Sequence, residues 1–136
     1  MPDRRILAAS AALALTVAAC AGPGASPPPP APPKPGQPIP DPALVEQGKQ
    51  LVAQKGCGGC HVIPGIAGAT GTLGPNLAGV ANRPTIAGGA VMHNGQDDLK
   101  RWVQDPPAAK PGTAMPNLNL SDAEANSIAA FLETLR

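Results

Sequence analysis

The sequence predicts an all-α domain, with helices separated by long loops, in the C-terminal two-thirds of the chain. Three observations lead there. Three segments carry helix-start signals followed by apolar stripes at helical spacing. The stretches between them show no apolar–polar alternation of the kind a half-buried strand needs. The aromatic content is also very low, one tryptophan, one phenylalanine and no tyrosine, so the core needs apolar surface from elsewhere.

The first helix is expected to open on Asp41-Pro42, an N-cap followed by a first-turn proline, with Leu44, Gly48, Leu51 and Val52 on one face up to Gly56. Near Asn94 a second helix is expected, with Leu99, Trp102 and Val103 inward and a stop at Asp105-Pro106-Pro107. A third opens on the capping box Ser121-x-x-Glu124 and carries Ile128, Phe131, Leu132 and Leu135 as its stripe. Residues 62–92 and 106–120 read as Gly/Pro-rich loops. Loops this long in a small domain usually serve a function, and wrapping a cofactor would account for them.

The segment Cys57-Gly58-Gly59-Cys60-His61 names the cofactor. Two thiols with a two-residue spacer and an adjacent histidine read as a c-type haem attachment site. Two cysteine sulfurs can add across the haem vinyl groups, and the histidine can reach the iron. A thioredoxin-like dithiol would need a βαβ context, which this sequence lacks. A zinc site would want four ligands from a chain with three cysteines and two histidines. A covalently held porphyrin also supplies the apolar surface that so small a domain lacks, and the domain is expected to fold poorly without it.

The N-terminus places the domain. Arg4 and Arg5 precede an apolar run, Ile6 to Ala19, too short for a comfortable membrane span. The run ends in Val17-Ala18-Ala19-Cys20, similar to a bacterial lipobox, so residues 1–19 are read as a lipoprotein-type signal and Cys20 as the lipidated mature terminus. Cleavage after Ala21 and uncleaved anchoring are the alternatives. Residues 20–42 form a tether: eleven of the nineteen prolines fall between 21 and 42. In polyproline II this spacer could reach roughly 60–70 Å at about 3.1 Å per residue. Residues 43–136 are the single folded domain. Its seven basic side chains are balanced by seven acids, which gives no footprint for nucleic acid and argues against strong electrostatic steering.

A bound haem needs an open distal face or a second axial ligand, for which Met92, His93 and Met115 are the candidates. Met115 lies in a loop stiffened by Pro111 and Pro116, which could press a thioether onto iron at little ordering cost.

At this point the chain resembles the class I cytochromes c. Cys57-x-x-Cys60-His61, Gly74-Pro75-Asn76-Leu77, Leu99-x-x-Trp102-Val103-x-Asp105-Pro106 and Pro111-Gly112-Thr113-x-Met115 occur in that family's order. Arg83-x-Thr85-Ile86-Ala87 and Lys110-Pro111-Gly112 are similar to segments of the cytochrome c domain fused to subunit II of bacterial haem-copper oxidases. The resemblance implies the small class I fold, helices and long loops around one haem c attached through Cys57 and Cys60. It implies His61 and Met115 as iron ligands, with Met92 and His93 structural, and Pro75 accepting a hydrogen bond from the His61 ring. It further implies Gly48 packed against Phe131, Trp102 beside the haem, and Arg83 and Thr113 near the propionates. His93 and Asn94 stand where the family often has a propionate-bonding tryptophan, a departure from its pattern.

The expected function is single-electron transfer rather than enzymatic turnover, by a monomer on the periplasmic side of a bacterial membrane. Its partners would be respiratory redox proteins, a cytochrome oxidase or a cytochrome bc complex, with no small-molecule substrate. Docking would use the glycine-rich rim around Cys57–Cys60 and the loop near Met115. A fixed subunit of a larger oxidoreductase, and a haem enzyme or gas sensor with a displaceable methionine, are the alternatives.

Overall fold

The computed structural model describes residues 39–92 and 95–136, with Met92 described by its backbone alone. The signal segment, Cys20, nearly all of the tether, His93 and Asn94 lie outside the described residues. Helix α1 spans Pro42–Gln54, and Asp41 caps it as expected, its carboxylate accepting from the Ala43 N–H at 2.8 Å. Helix α2 spans Gln96–Gln104 and buries Leu99 and Val103. Helix α3 is one turn, Pro106–Ala109, and α4 spans Asp122–Leu132.

The core forms where α1 and α2 pack across α4, joined by Val80, Ile86 and Val91 from the loops. The α1–α4 contact is closer than side chains would allow. A Cβ built on Gly48 would lie 1.9 Å from the Ser127 carbonyl oxygen and 2.9 Å from the Phe131 Cβ. Glycine at 48 thus lets the two backbones touch. Ser127 adds a polar tie, its hydroxyl donating to Gln47 Oε1 at 2.9 Å across the same seam.

The capping box at α4 is complete: Ser121 Oγ accepts from the Glu124 N–H, and the Ser121 N–H donates to Glu124 Oε2 at 2.8 Å. Lys55, just past α1, reaches Glu124 at 2.7 Å. That ammonium first, then the Ser121 N–H and hydroxyl, hold the Glu124 carboxyl down to about 2. A carboxylate depressed in the folded state contributes stability above its unfolded value, and that contribution disappears as the pH falls towards the folded value. Glu124→Gln should therefore lower stability at neutral pH and flatten its acid dependence between pH ~4.3 and about 2, as acid titration of unfolding would read. Equal acid slopes for the two proteins would exclude the coupling.

Two loop expectations need correction. Pro106 does end α2, but it also starts α3: Asp105 accepts from the Ala108 N–H at 3.4 Å, and proline fits a first helical turn because its missing N–H would have had no partner there. Residues 62–92 contain a minimal hairpin, β1 Thr85–Ile86 against β2 Val91–Met92, and single 3-10 turns at Val80–Asn82 and Ala87–Gly89. Two-residue strands are too short to leave an alternation. Leu135, expected on the α4 stripe, lies beyond the helix end yet still packs on the core.

Candidate haem site

One cavity, about 590 Å³, gathers the predicted site residues. Cys57, Cys60, His61, Pro75, Arg83, Trp102, Thr113 and Met115 all line it. They come from five places: the turn after α1, the loop before Val80, the segment just before β1, the face of α2 and the loop after α3. The deeper wall is aliphatic, with Val52, Leu99, Ile128 and Leu132. A volume in the range of roughly 300–1,000 Å³, mainly apolar walls and a few convergent polar groups describe a cofactor site.

The attachment segment is held by its own turn. Cys57–Gly59 forms a 3-10 turn, and the Cys57 carbonyl accepts from the N–H groups of Cys60 at 3.2 Å and His61 at 3.0 Å. Neither sulfur is in a disulfide, and both cysteines lie on the cavity wall. Burial pushes the Cys57 thiol up, against a backbone hydrogen bond that lowers it. The loop that follows runs back along the segment, with Gly74 N–H donating to the Cys60 carbonyl at 2.8 Å and Leu77 N–H to the Val62 carbonyl at 2.8 Å.

That loop orients His61. Its Nδ1 donates to the Pro75 carbonyl at 2.8 Å, which assigns the proton to Nδ1 and leaves Nε2 with a lone pair. Gly74 lies directly under the ring: a Cβ there would be 2.3 Å from His61 Cε1. A histidine clamped on one nitrogen by a carbonyl, with the other nitrogen basic, is the arrangement in which metal-ligating imidazoles occur.

Met115 packs against the core while also lining the cavity. Thr113 steadies the loop by accepting from the Met115 N–H at 3.3 Å. Trp102 is half-buried at the cavity, part wall and part core. Arg83 lines the cavity too, but its guanidinium donates to the carbonyls of Asn76 and Ala78. It thereby clasps the segment next to Pro75, a contact no sequence pattern announces. Sequence reading also missed Leu73, 88% exposed at the cavity rim, and Lys110, another wall residue.

The family model for cytochrome c matches residues 45–136. The chain belongs to the cytochrome c family. This cytochrome domain is also similar to two proteins named cytochrome c oxidase subunit 2. With that of Alkalihalophilus pseudofirmus it shares 32% identity over 99 residues, 71% of this chain and 27% of the relative. With that of Bacillus subtilis it shares 34% over 97 residues, 68% of this chain and 27% of the relative. The chain thus spans about a quarter of the length of the relatives it matches. Family membership makes this a class I cytochrome c related to oxidase subunit II, and a haem electron-transfer protein. The cavity fits that group: an apolar interior, a thiol pair and a clamped imidazole on one wall, and a thioether on the wall as well. Among the described residues, no helix is long and apolar enough to cross a membrane.

Proposed function

We propose that this cytochrome is a membrane-tethered carrier that passes single electrons between respiratory partners, ending at a terminal oxidase. The observation that carries the reading is the meeting of Cys57, Cys60, a Pro75-clamped His61 and Met115 around one cavity. Cys57 and Cys60 would hold one haem covalently, and His61 and Met115 would bind its iron. Bound there, haem supplies a one-electron Fe(III)/Fe(II) couple, to which methionine ligation and burial give a comparatively high potential.

The chain's own residues do the rest. The Pro75 carbonyl fixes the His61 ring and raises its basicity. Pro111, Thr113 and Pro116 hold Met115 in place, so little rearrangement accompanies a change of redox state. With His61 and Met115 both holding the iron, no place would remain for a substrate, which favours a carrier over an enzyme. Trp102 closes the apolar wall, and Arg83 and Thr113 are assigned to the polar, propionate end. His93 and Asn94, where the sequence departs from the family's pattern, lie outside the described residues.

Exposed Leu73 at the cavity rim, two residues from Gly71, whose N–H donates to the Gly58 carbonyl of the attachment turn, offers an apolar surface suited to a small, short-lived redox interface. The similarity to oxidase subunit 2 of two bacilli supports an oxidase as the electron acceptor. Lipidation of Cys20 and a proline-rich leash of 20–42 would keep a monomeric domain near the periplasmic face of the membrane.

Fractionation and reoxidation test this together. Cys20→Ser should move the protein from membranes to the soluble fraction without changing its spectrum. The reduced wild-type protein should be reoxidised rapidly by oxidase-containing membranes. Retention of the Cys20→Ser protein on membranes would remove the lipid tether, and co-purification with stoichiometric partner subunits would favour a fixed subunit instead.

A further inference from the structure

The charge inside the cavity is not the charge of the domain. Seven cations and seven carboxylates balance over residues 43–136, yet among the described residues the cavity wall carries Arg83 and Lys110 and no aspartate or glutamate. Among the other cations, Lys55 meets Glu124, Lys100 meets Asp122 and Arg101 meets Asp98. Lys110 is half-buried, and its Nζ donates to the Ala87 carbonyl at 3.1 Å. An ammonium has three N–H donors, so a neutral carbonyl satisfies one and none of the charge. A cation drawn out of water without an anion is costly unless its ligand brings one.

The surroundings keep room for such an anion. Gly88 lies against the ammonium, with a built Cβ only 3.2 Å from Nζ, so a side chain at 88 would crowd it. Thr85 and Thr113 line the cavity as well and can donate hydroxyl protons.

We propose that Lys110 is a haem-binding residue whose ammonium pairs with a propionate carboxylate, sharing the polar end of the cavity with Arg83. This rests on the haem reading above and adds a residue to it. A haem propionate would supply the carboxylate that Lys110 lacks on this wall among the described residues. The positive charge also favours the reduced state, because an added electron is attracted to it.

The test uses the full-length, haem-bearing protein and three variants. Lys110→Gln keeps an N–H donor for the Ala87 carbonyl but loses the charge, Lys110→Arg keeps the charge, and Lys49→Gln neutralises an exposed lysine of α1 away from the cavity. The expected result is a lower reduction potential for Lys110→Gln with its sulfur-to-iron charge-transfer band intact, and near-wild-type potentials for the other two. An unchanged potential in Lys110→Gln overturns the proposal. So does loss of the band in both Lys110 variants, which would make the lysine only a strap between the methionine loop and the hairpin turn. A purified chain without covalent haem would instead overturn the haem reading itself, a separate outcome seen in the spectrum before any variant is made.

Discussion

Met115→Ala should abolish the sulfur-to-iron charge-transfer band of the oxidised protein and drive its reduction potential down. In the proposed arrangement the thioether is the distal ligand, and a soft, neutral sulfur stabilises the reduced iron. Axial-ligand identity spreads haem potentials over about 0.8 V, so a fall on the order of a few tenths of a volt is the expected scale. The fold should survive, since Met115 is one partly buried residue on the margin of a core built from α1, α2 and α4. Spectroelectrochemistry on the purified variant reads both quantities. A persistent band at an unchanged potential would assign the ligand elsewhere and return Met92 and His93 to consideration.

The second large effect lies away from the haem. Gly48→Ala adds a methyl group at a point 1.9 Å from the Ser127 carbonyl oxygen, so α1 and α4 must separate. Overpacking of this kind costs about 1–3 kcal/mol and occasionally more. Alanine returns up to ~1 kcal/mol through its better helix propensity, but the clash is with backbone, which cannot step aside as a flexible side chain would. We expect a net loss of about 2 kcal/mol. At roughly 4–8 °C per kcal/mol for a domain this size, the melting temperature should fall by about 8–16 °C while the absorption spectrum stays that of the wild type. Thermal unfolding followed at a haem band measures this, and an unchanged or raised melting temperature would mean that the interhelical contact is looser than described.

The two predictions separate what was legible in the sequence from what was not. Helix starts were legible because Asp41, Pro42, Ser121 and Glu124 act locally, through hydrogen bonds to their own neighbours. The candidate site was legible because a haem-attachment pattern demands fixed residue types at short spacing; the structure brings all eight residues to one cavity. Pro106 was half legible: its ring stops one helix, but whether the next residues start another depends on Asp105 turning back to cap them. The β1–β2 ladder was hidden by its length. Ala87, with φ 56°, adopts a backbone conformation that alanine rarely takes, and nothing in its sequence neighbourhood foretells it.

Partners distant in the chain were the least visible. The Ser127 carbonyl under Gly48, the Asn76 and Ala78 carbonyls under Arg83 and the Ala87 carbonyl under Lys110 are all main-chain atoms. Residue type says little about where a main-chain acceptor will lie once the chain has folded. The family resemblance foresaw one such contact, Pro75 to His61. It assigned Arg83 to the propionates alone, whereas the guanidinium also fastens the loop beside the histidine's acceptor.

The most direct test of the central claim, a haem centre with both axial positions held by the protein, is the visible spectrum of the purified wild-type protein, oxidised and then reduced under carbon monoxide. The account predicts a sulfur-to-iron charge-transfer band in the oxidised form and no carbon monoxide adduct in the reduced form without denaturant. A reduced protein that binds carbon monoxide fully, from an oxidised form lacking the band, would contradict it.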